Sequence, residues 1–282
     1  MKKENTIIVA LAVLAAVIAA TWLILVAPSM TGNDINMTKG VTQQSVDHYN
    51  LHMIVLWICA VIGIAVFTVM FTSIVLHRKS RDHKAAKFNH STKAEIIWTI
   101  IPVLILVAMA VPATTALVRM EDSSGAEMTV KITGFQWRWK YEYLDQDISF
   151  ISSLNPDSNK ARQLGSGIMP ESVDNYLLDV DNPLVLPVGR KIKFLITADD
   201  VIHSWWVPAF GWKRDAIPGF VNEAWTNIEE PGTYRGQCAE LCGKDHGFMP
   251  IVVIALAEDE FESWVREQLA GKSQNDQQVT LR

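Results

Sequence analysis

Three kinds of metal-binding side chain stand close together near the end of the chain. Two thiols, an imidazole and a thioether follow one another at intervals of four, four and three residues, as Cys238, Cys242, His246 and Met249. A second imidazole, His203, lies 35 residues upstream of Cys238. Thiolate and thioether are soft ligands and imidazole suits copper, so this donor set favours copper over a hard cation.

The number of cysteines bears on how many metal ions such a site would hold. One cysteine is typical of a mononuclear electron-transfer site. Two cysteines at this spacing can each bridge two metals, which leaves one imidazole, His203 or His246, for each ion. Bridging thiolates would let two copper ions share one electron with little rearrangement. The pattern therefore predicts an electron relay rather than a hydrolytic site, which would need an open metal position and a general base.

Two other interpretations of these residues stay open at this point. Cys238 and Cys242 could form a short-range disulfide in an oxidising compartment, or two Cys and two His could bind zinc. Met249 and the distant His203 favour copper over both. The third cysteine, Cys59, lies inside an apolar run, and three cysteines are too few for a disulfide framework.

An aromatic segment precedes the metal-binding residues. Trp137, Trp139, Tyr141 and Tyr143 alternate along a predicted strand and therefore share one face of it. Such a face can belong to the hydrophobic core, or it can offer an exposed Trp that anchors a docking partner. The alternation alone does not distinguish these two roles.

The elements that hold these residues divide the chain into an apolar half and a polar half. Three apolar runs, Ile7–Ala27, His52–Leu76 and Ile96–Val118, each have about the 20 residues that a helix needs to cross a bilayer. Six basic residues lie between the last two runs, namely Arg78, Lys79, Arg81, Lys84, Lys87 and Lys93, and within this basic stretch only Asp82 is acidic. Such a connection belongs in the cytoplasm, so residues 121–282 are expected on the outer side.

The first apolar run has two interpretations. Lys2 and Lys3 before it and Ala27-Pro28-Ser29 after it resemble a secretory signal, although the run is longer than the usual signal core. A retained extra transmembrane helix is the alternative.

The polar half reads as a β-sandwich or barrel, because short alternating runs are separated by Pro, Gly, Asn and Asp. The predicted strands are Met128–Phe135, Arg138–Tyr143, Leu184–Leu186, Lys191–Ile196, Glu223–Ile228, Gly232–Gln237 and Pro250–Ala255. Ser152–Asp181 is predicted to be a surface excursion, Phe261–Leu269 a closing helix, and Gly271–Arg282 a mobile polar tail. The expected domains are 1–30 (signal or extra helix), 31–120 (outer loop and a hairpin of helices at about 52–76 and 96–118), 121–260 (β domain) and 261–282.

Charge limits the classes of partner. The net charge is -5, and no basic block accompanies a base-stacking pattern, which excludes nucleic acid as an expected partner. Acidic residues outnumber basic ones in the polar half, which would suit a basic protein, although solubility alone explains such a balance equally well.

The succession of motifs resembles subunit II of heme-copper cytochrome c oxidases. A helix hairpin is followed by G-x-Q-W-x-W at Gly134–Trp139, H-S-W at His203–Trp205, D-A-I-P-G at Asp215–Gly219, and C-x-E-x-C-G-x-x-H-x-x-M-P at Cys238–Pro250. The match runs from about Met37 to Ala257. It implies a transmembrane helical hairpin followed by an all-β cupredoxin-like sandwich.

The resemblance also implies the roles of individual residues. The two ions of a copper A centre would be ligated by the backbone carbonyl of Glu240 together with His203, Cys238, Cys242, His246 and Met249. The Glu240 side chain would reach a Mg²⁺ shared with subunit I. Trp137 would be the point where electrons arrive, and Glu95 matches the family carboxylate at the mouth of one proton path. From the residues alone, Glu95 is an interfacial carboxylate favoured by a helix N-terminus.

The implied function is that of a respiratory oxidase subunit that relays electrons from cytochrome c to heme, for reduction of O₂ to water coupled to proton pumping. Subunit I would hold the hemes and the O₂ chemistry, with subunit III as a further partner. The expected location is a bacterial inner (plasma) membrane, with the copper domain on the periplasmic side. Acidic side chains would face a basic cytochrome c, with Glu142, Asp145, Asp199 and Asp200 as candidates.

Other functions use the same type of domain. A nitric oxide reductase would use the same relay, whereas a quinol oxidase subunit has lost the copper ligands, all of which are present here. A copper carrier must release its metal, which five buried ligands would oppose. The sequence departs from many relatives at Phe135 and Arg138, where those have His and Tyr. No C-x-x-C-H occurs, so the electron donor is expected to be a separate protein, soluble or membrane-anchored.

Overall fold

The structure is a computed structural model that describes residues 2–25, 36–79, 84 and 87–280. Three long helices come first: α1 is Lys2–Leu25, α2 is Gln43–Leu76 and α3 is Thr92–Glu121. Of the described helices, α2 and α3 are the two that are long and apolar enough to cross a membrane, as far as length and composition can tell. The Ala27-Pro28-Ser29 motif and Arg81 with Asp82 lie outside the described residues.

Helix α2 begins nine residues before the predicted apolar run, and the extra turns contact the β domain. Thr42 caps the helix, since its hydroxyl accepts a hydrogen bond from the Ser45 N–H at 3.1 Å. The Gln44 side chain donates to the Trp225 carbonyl at 2.8 Å, and His48 Nδ1 donates to the Gly211 carbonyl at 2.6 Å. The polar first turns were therefore missed because their stability comes from distant contacts rather than from an apolar run.

Within the described part of the chain, ten strands form two five-stranded sheets. The first has the order β3-β2-β1-β5-β8 and the second β4-β10-β9-β6-β7. Their bounds are Met128–Phe135 (β1), Arg138–Tyr143 (β2), Ile148–Ser152 (β3), Leu184–Pro187 (β4), Lys191–Ala198 (β5), His203–Val207 (β6), Trp212–Ala216 (β7), Asn222–Asn227 (β8), Gly232–Cys238 (β9) and Pro250–Leu256 (β10). Pairing is antiparallel except between β1 and β5 and between β4 and β10.

All seven predicted strands are present with ends within two residues of those expected. Strands β3, β6 and β7 were not among the predicted strands. In β7, Lys213, Arg214 and Asp215 interrupt the apolar pattern, and charged residues are depleted in strands. Its place at the edge of the second sheet explains how it tolerates them.

The two sheets pack on one hydrophobic core. Trp205 of the second sheet stacks on Phe194 of the first with ring centroids 5.6 Å apart, and its indole N–H donates to the Tyr141 hydroxyl at 3.4 Å. The Tyr143 hydroxyl donates to the Val185 carbonyl at 2.8 Å. These contacts join the sheets into the predicted sandwich and give it a rigid frame.

The excursion between β3 and β4 contains a short helix, α4, at Pro156–Ala161. An antiparallel bridge between Leu154 and Val180 closes its base. After β10, helix α5 runs over Glu258–Thr280, which is longer than the predicted Phe261–Leu269 and includes most of the segment predicted to be a tail. Its buried residue Phe261 stacks on Trp264, whose ring in turn contacts Tyr143 of the core.

Candidate metal centre

Three strand ends of the second sheet bring the predicted ligands together. His203 begins β6, Cys238 ends β9, and Met249 directly precedes β10. Trp205 pairs with Cys238 across β6 and β9, and the Cys238 N–H donates to the Met249 carbonyl at 3.1 Å. Residues 239–249, called the ligand loop here, connect β9 to β10 and carry the remaining ligands.

The imidazole of His203 and the thiols of Cys238 and Cys242 form one buried cluster. Their ligand atoms all lie within 4.8 Å of one another. Both cysteines are free, with their Sγ atoms 3.9 Å apart. His203 has no exposed surface, and the two cysteines are 5% and 3% exposed. A buried group of soft and borderline donors without a disulfide is what a copper or zinc ion requires.

Each thiol faces its own imidazole. His203 Nδ1 is 3.9 Å from the Cys238 sulfur, and His246 Nδ1 is 3.6 Å from the Cys242 sulfur. Met249 is 1% exposed, and the Glu240 carbonyl oxygen lies 3.4 Å from the Cys238 sulfur. The six predicted ligand residues thus lie in one region, with two sulfurs at its centre and an imidazole beside each. This donor set fits copper better than zinc, because a thioether is not a usual zinc ligand.

Asp200 fixes the orientation of the His203 ring. The carboxylate of Asp200 accepts a hydrogen bond from His203 Nε2 at 2.9 Å and another from the Gln136 backbone N–H at 2.7 Å. Because a carboxylate can only accept, Nε2 carries a proton, and Nδ1 is the nitrogen that faces Cys238. A carboxylate behind an imidazole ligand is the usual way to set its tautomer and basicity.

The pKa values of these groups reflect burial opposed by hydrogen bonding. Burial alone would lower the pKa of His203, but its bonds to Cys238 and Asp200 raise it. Burial alone would raise the pKa of Cys238, yet its hydrogen bond with His203 and its backbone hydrogen bonds lower it. Burial and the neighbouring charge of Cys238 raise the pKa of Cys242. The lowered pKa of Cys238 favours its thiolate, the form that binds metal.

The turn between β1 and β2 covers the ligand loop. The carbonyl oxygen of Cys242 accepts a hydrogen bond from the Gln136 side chain at 2.8 Å and one from the Trp137 indole N–H at 3.3 Å. Trp137 is half-buried and lies in the turn, whereas Trp139 on β2 is buried in the core. The prediction that Trp137 shares a strand face with the other aromatic residues is therefore wrong, because β1 ends at Phe135 and β2 starts only at Arg138.

Other predicted functional residues do not gather at this site. Glu95 is exposed in the first turn of α3, within the helical part of the chain. Glu142 forms ion pairs with Lys140 at 2.9 Å and Lys131 at 3.3 Å. Asp145 accepts the Thr129 N–H at 2.8 Å, beyond the end of β2 that is remote from Trp137. These two carboxylates, and Asp200, thus have partners within the chain itself.

Sequence reasoning missed two roles at the site. Asp200 was proposed only as a docking carboxylate, although a spacing of three residues before a histidine could have indicated a hydrogen bond to its ring. Gln136 was treated as part of a motif without a role of its own. Its contact with Cys242 joins residues more than one hundred positions apart, and no local pattern indicates such a contact.

Comparison with protein families supports both halves of the chain. Residues 128–256 match the family model described as cytochrome c oxidase subunit II, periplasmic domain. Residues 28–115 match the model described as cytochrome c oxidase subunit II, transmembrane domain. The predicted fold class, two apolar helices followed by a cupredoxin-like β domain, is thereby confirmed, and the chain is a membrane protein.

Curated relatives agree with the family models. The chain is 40% identical over 230 residues to a probable cytochrome c oxidase subunit 2 of Rickettsia bellii, covering 80% of this chain and 82% of the relative. It is 37% identical over 221 residues to cytochrome c oxidase subunit 2 of Cereibacter sphaeroides, covering 74% and 73%. A crystal structure of the periplasmic domain of subunit II of cytochrome oxidase from Bradyrhizobium japonicum is 41% identical, with a TM-score of 0.46, covering 53% of this chain and 98% of that one.

Proposed function

Because this chain belongs to the cytochrome c oxidase subunit II family, we propose that it is the electron-relay subunit of a respiratory cytochrome c oxidase. It would accept electrons from cytochrome c at a two-copper centre and pass them to heme in subunit I. The observation that carries the proposal is the pairing of each buried thiol with its own imidazole, at 3.9 Å and 3.6 Å, around two adjacent sulfurs.

The copper ligands in this proposal are the carbonyl oxygen of Glu240 and the side chains of His203, Cys238, Cys242, His246 and Met249. Copper held by these residues would supply reversible one-electron chemistry at the site. The protein's part is to hold the ligands still. The β-sandwich does so through the pairing of β6, β9 and β10, and Asp200 sets the ring of His203.

Trp137 is proposed as the residue through which electrons reach the centre. Its indole ring is half-buried, so that one part remains accessible to a donor protein, while its N–H is bonded to the carbonyl of the ligand Cys242 at 3.3 Å. A continuous path of one hydrogen bond and one residue then links the protein surface to the Cys242 sulfur. Lys244 lies above the same ring at 5.5 Å and adds a positive charge beside it.

The wider assembly is part of the same proposal. The exposed Glu240 side chain would reach a Mg²⁺ shared with subunit I, and Glu95 would mark the mouth of a proton path. Subunit III and a separate cytochrome c are the further partners. The β domain would face the periplasm from a bacterial inner membrane, with α2 and α3 in the bilayer and an orientation set by the basic connection between them.

The test is an EPR and near-infrared spectrum of the full-length chain, purified in detergent and loaded with copper. We expect a multi-line hyperfine pattern from one electron shared by two coppers, with about two copper ions per chain. Cys238→Ser should abolish this pattern. Cys59→Ser is the matched control, because Cys59 is exposed on α2 and has no place in the centre. A single-copper spectrum in the unaltered protein would refute the two-copper relay.

A further inference from the structure

The two ends of the excursion between β3 and β4 are joined to each other by hydrogen bonds. The Asn155 N–H donates to the Asp179 carbonyl and the Asp181 N–H to the Ser153 carbonyl, both at 3.0 Å. The Asp181 side chain in turn accepts the Ser153 N–H at 2.7 Å. These bonds surround the bridge of Leu154 with Val180. The excursion is thus held to the sandwich as a constrained segment rather than as a loose loop.

Helix α4 at the start of the excursion is ordered by its own caps. The Asn155 side chain accepts the N–H of Asp157 at 2.9 Å, which is a standard helix N-cap. Ser158 is fully buried, and its hydroxyl accepts the Leu177 N–H at 3.2 Å. At the C-terminal end, Arg162 Nε donates to the Asn159 side chain at 2.8 Å. The last bond fixes the direction of the Arg162 guanidinium.

That guanidinium contacts the ligand loop at two points. Arg162 Nη1 is 3.3 Å from a carboxylate oxygen of Asp245, and both side chains are about four-fifths buried, with exposed fractions of 21% and 22%. The guanidinium carbon also lies 4.3 Å from the centroid of the Phe248 ring. Charge attraction and stacking therefore act through one side chain, and partial burial reduces the screening of both by solvent.

The two contacted residues flank the ligands of the loop. Asp245 directly precedes His246, and Phe248 directly precedes Met249. The backbone between them forms a single 3₁₀ turn, in which the Phe248 N–H donates to the Asp245 carbonyl at 2.9 Å. One 3₁₀ turn has little stability of its own, so its geometry depends on contacts from outside.

We propose that Arg162 is a positioning residue that holds the His246–Met249 part of the ligand loop in its metal-binding geometry. The excursion between β3 and β4 contributes none of the proposed copper ligands. The importance of this geometry for copper rests on the proposed function, whereas the contact itself does not. Arginine suits the role because its planar group can pair with a carboxylate and stack on an aromatic ring at once, and lysine cannot do both equally well.

The test compares three variants of the full-length chain: Arg162→Gln, Arg162→Lys and Lys160→Gln. Lys160 is the matched control, because it is a neighbouring cation on the same short helix. Its ion pair is with Asp157, is exposed, and does not involve the ligand loop. Amide hydrogen exchange of His246 and Phe248 is measured in the metal-free chain. We expect roughly tenfold faster exchange in Arg162→Gln, a smaller increase in Arg162→Lys, and wild-type rates in Lys160→Gln.

Copper-loaded samples give the second measurement. The release of copper to a chelator should be about tenfold faster in Arg162→Gln than in Lys160→Gln, with a changed hyperfine pattern because His246 is less well held. Partial recovery in Arg162→Lys would support the positioning role. If the unaltered chain shows no two-copper signal, the proposed function fails, but the exchange rates of the metal-free chain still decide on Arg162.

Equal exchange rates in Arg162→Gln and Lys160→Gln would overturn the inference. If Arg162→Gln does not accumulate, Asp245→Asn removes the same ion pair from the other side, and an unchanged exchange rate there would overturn it as well. Where both variants fold, the double variant should exchange no faster than Arg162→Gln alone, because Arg162→Gln already removes the ion pair that Asp245→Asn disrupts. Additive effects would show that Arg162 and Asp245 act separately.

Discussion

The indole N–H of Trp137 donates a hydrogen bond to the carbonyl oxygen of Cys242 at 3.3 Å. This bond joins a residue at the protein surface to the backbone of a residue whose sulfur lies at the centre of the proposed metal site. The Gln136 side chain donates to the same oxygen at 2.8 Å, so the turn between β1 and β2 is held on the ligand loop by two donors.

Trp137→Phe keeps an aromatic ring but removes the N–H donor. We expect a slower transfer of electrons from reduced cytochrome c to the centre, measured by stopped-flow absorbance of the assembled oxidase, with the copper spectrum retained. The free energy of unfolding should fall by only about 1 kcal/mol, the usual value of one hydrogen bond. Trp206→Phe is the control, since Trp206 is an exposed indole on β6. Equal transfer rates in the two variants would argue against a role of Trp137 in electron transfer.

Asp200→Asn should change the metal centre itself. The substitution weakens the hydrogen bond to His203 Nε2, which makes the imidazole a poorer donor, so we expect a higher reduction potential and roughly 10- to 100-fold weaker copper binding. The control is Asp199→Asn, which removes the same charge while the Asp199 backbone N–H keeps its bond to the Gly134 carbonyl. If both variants slow the reaction with cytochrome c equally and leave the potential unchanged, Asp200 acts in docking alone.

Gly236→Ala should destabilise the sandwich. Gly236 lies in β9 between β10 and β6, and a Cβ atom there would overlap the backbone of Trp206. Overpacking of this kind costs about 1–3 kcal/mol, measurable as a loss of unfolding free energy in urea. Gly271→Ala in α5 serves as the comparison, because nothing lies within 4 Å of the added atom, and the change should be neutral or slightly stabilising. A Gly236 variant as stable as wild type would contradict the close approach of β9 and β6.

Glu142→Gln should alter stability at acid pH. Burial raises the pKa of Glu142, but Lys140 and Lys131 outweigh it and lower the pKa below its ordinary value. A lowered folded-state pKa gives stability that is present above the unfolded-state pKa and is lost as the pH falls through the folded-state value. The gain is below about 1 kcal/mol because the pair is partly exposed. Between pH 7 and pH 3, wild type should lose more unfolding free energy than Glu142→Gln, and parallel curves would refute this.

Patterns local in sequence predicted seven of the ten described strands and indicated which side chains could bind metal. Alternation along β1 and β5 reflects burial of one face of each strand, which depends on nearest neighbours in the chain. The ligand loop carries Cys242 and His246 within a few residues, so their spacing already indicated a metal site. The two apolar helices were equally evident, because an apolar run of sufficient length is a local property.

Tertiary structure decided what each residue contacts across large separations in the sequence. It placed Trp137 in a turn beside the ligand loop and Trp139 in the core, although alternation had grouped them. It also brought Asp200 into a hydrogen bond with His203, and Arg162 into a hydrogen bond with Asp245, which lies 83 positions later in the chain. The sequence by itself determined which side chains can bind metal and which segments form strands and helices. Only the packing of the two sheets decided which carboxylates, amides and cations hold those ligands in place, because such contacts depend on distances that no local pattern encodes.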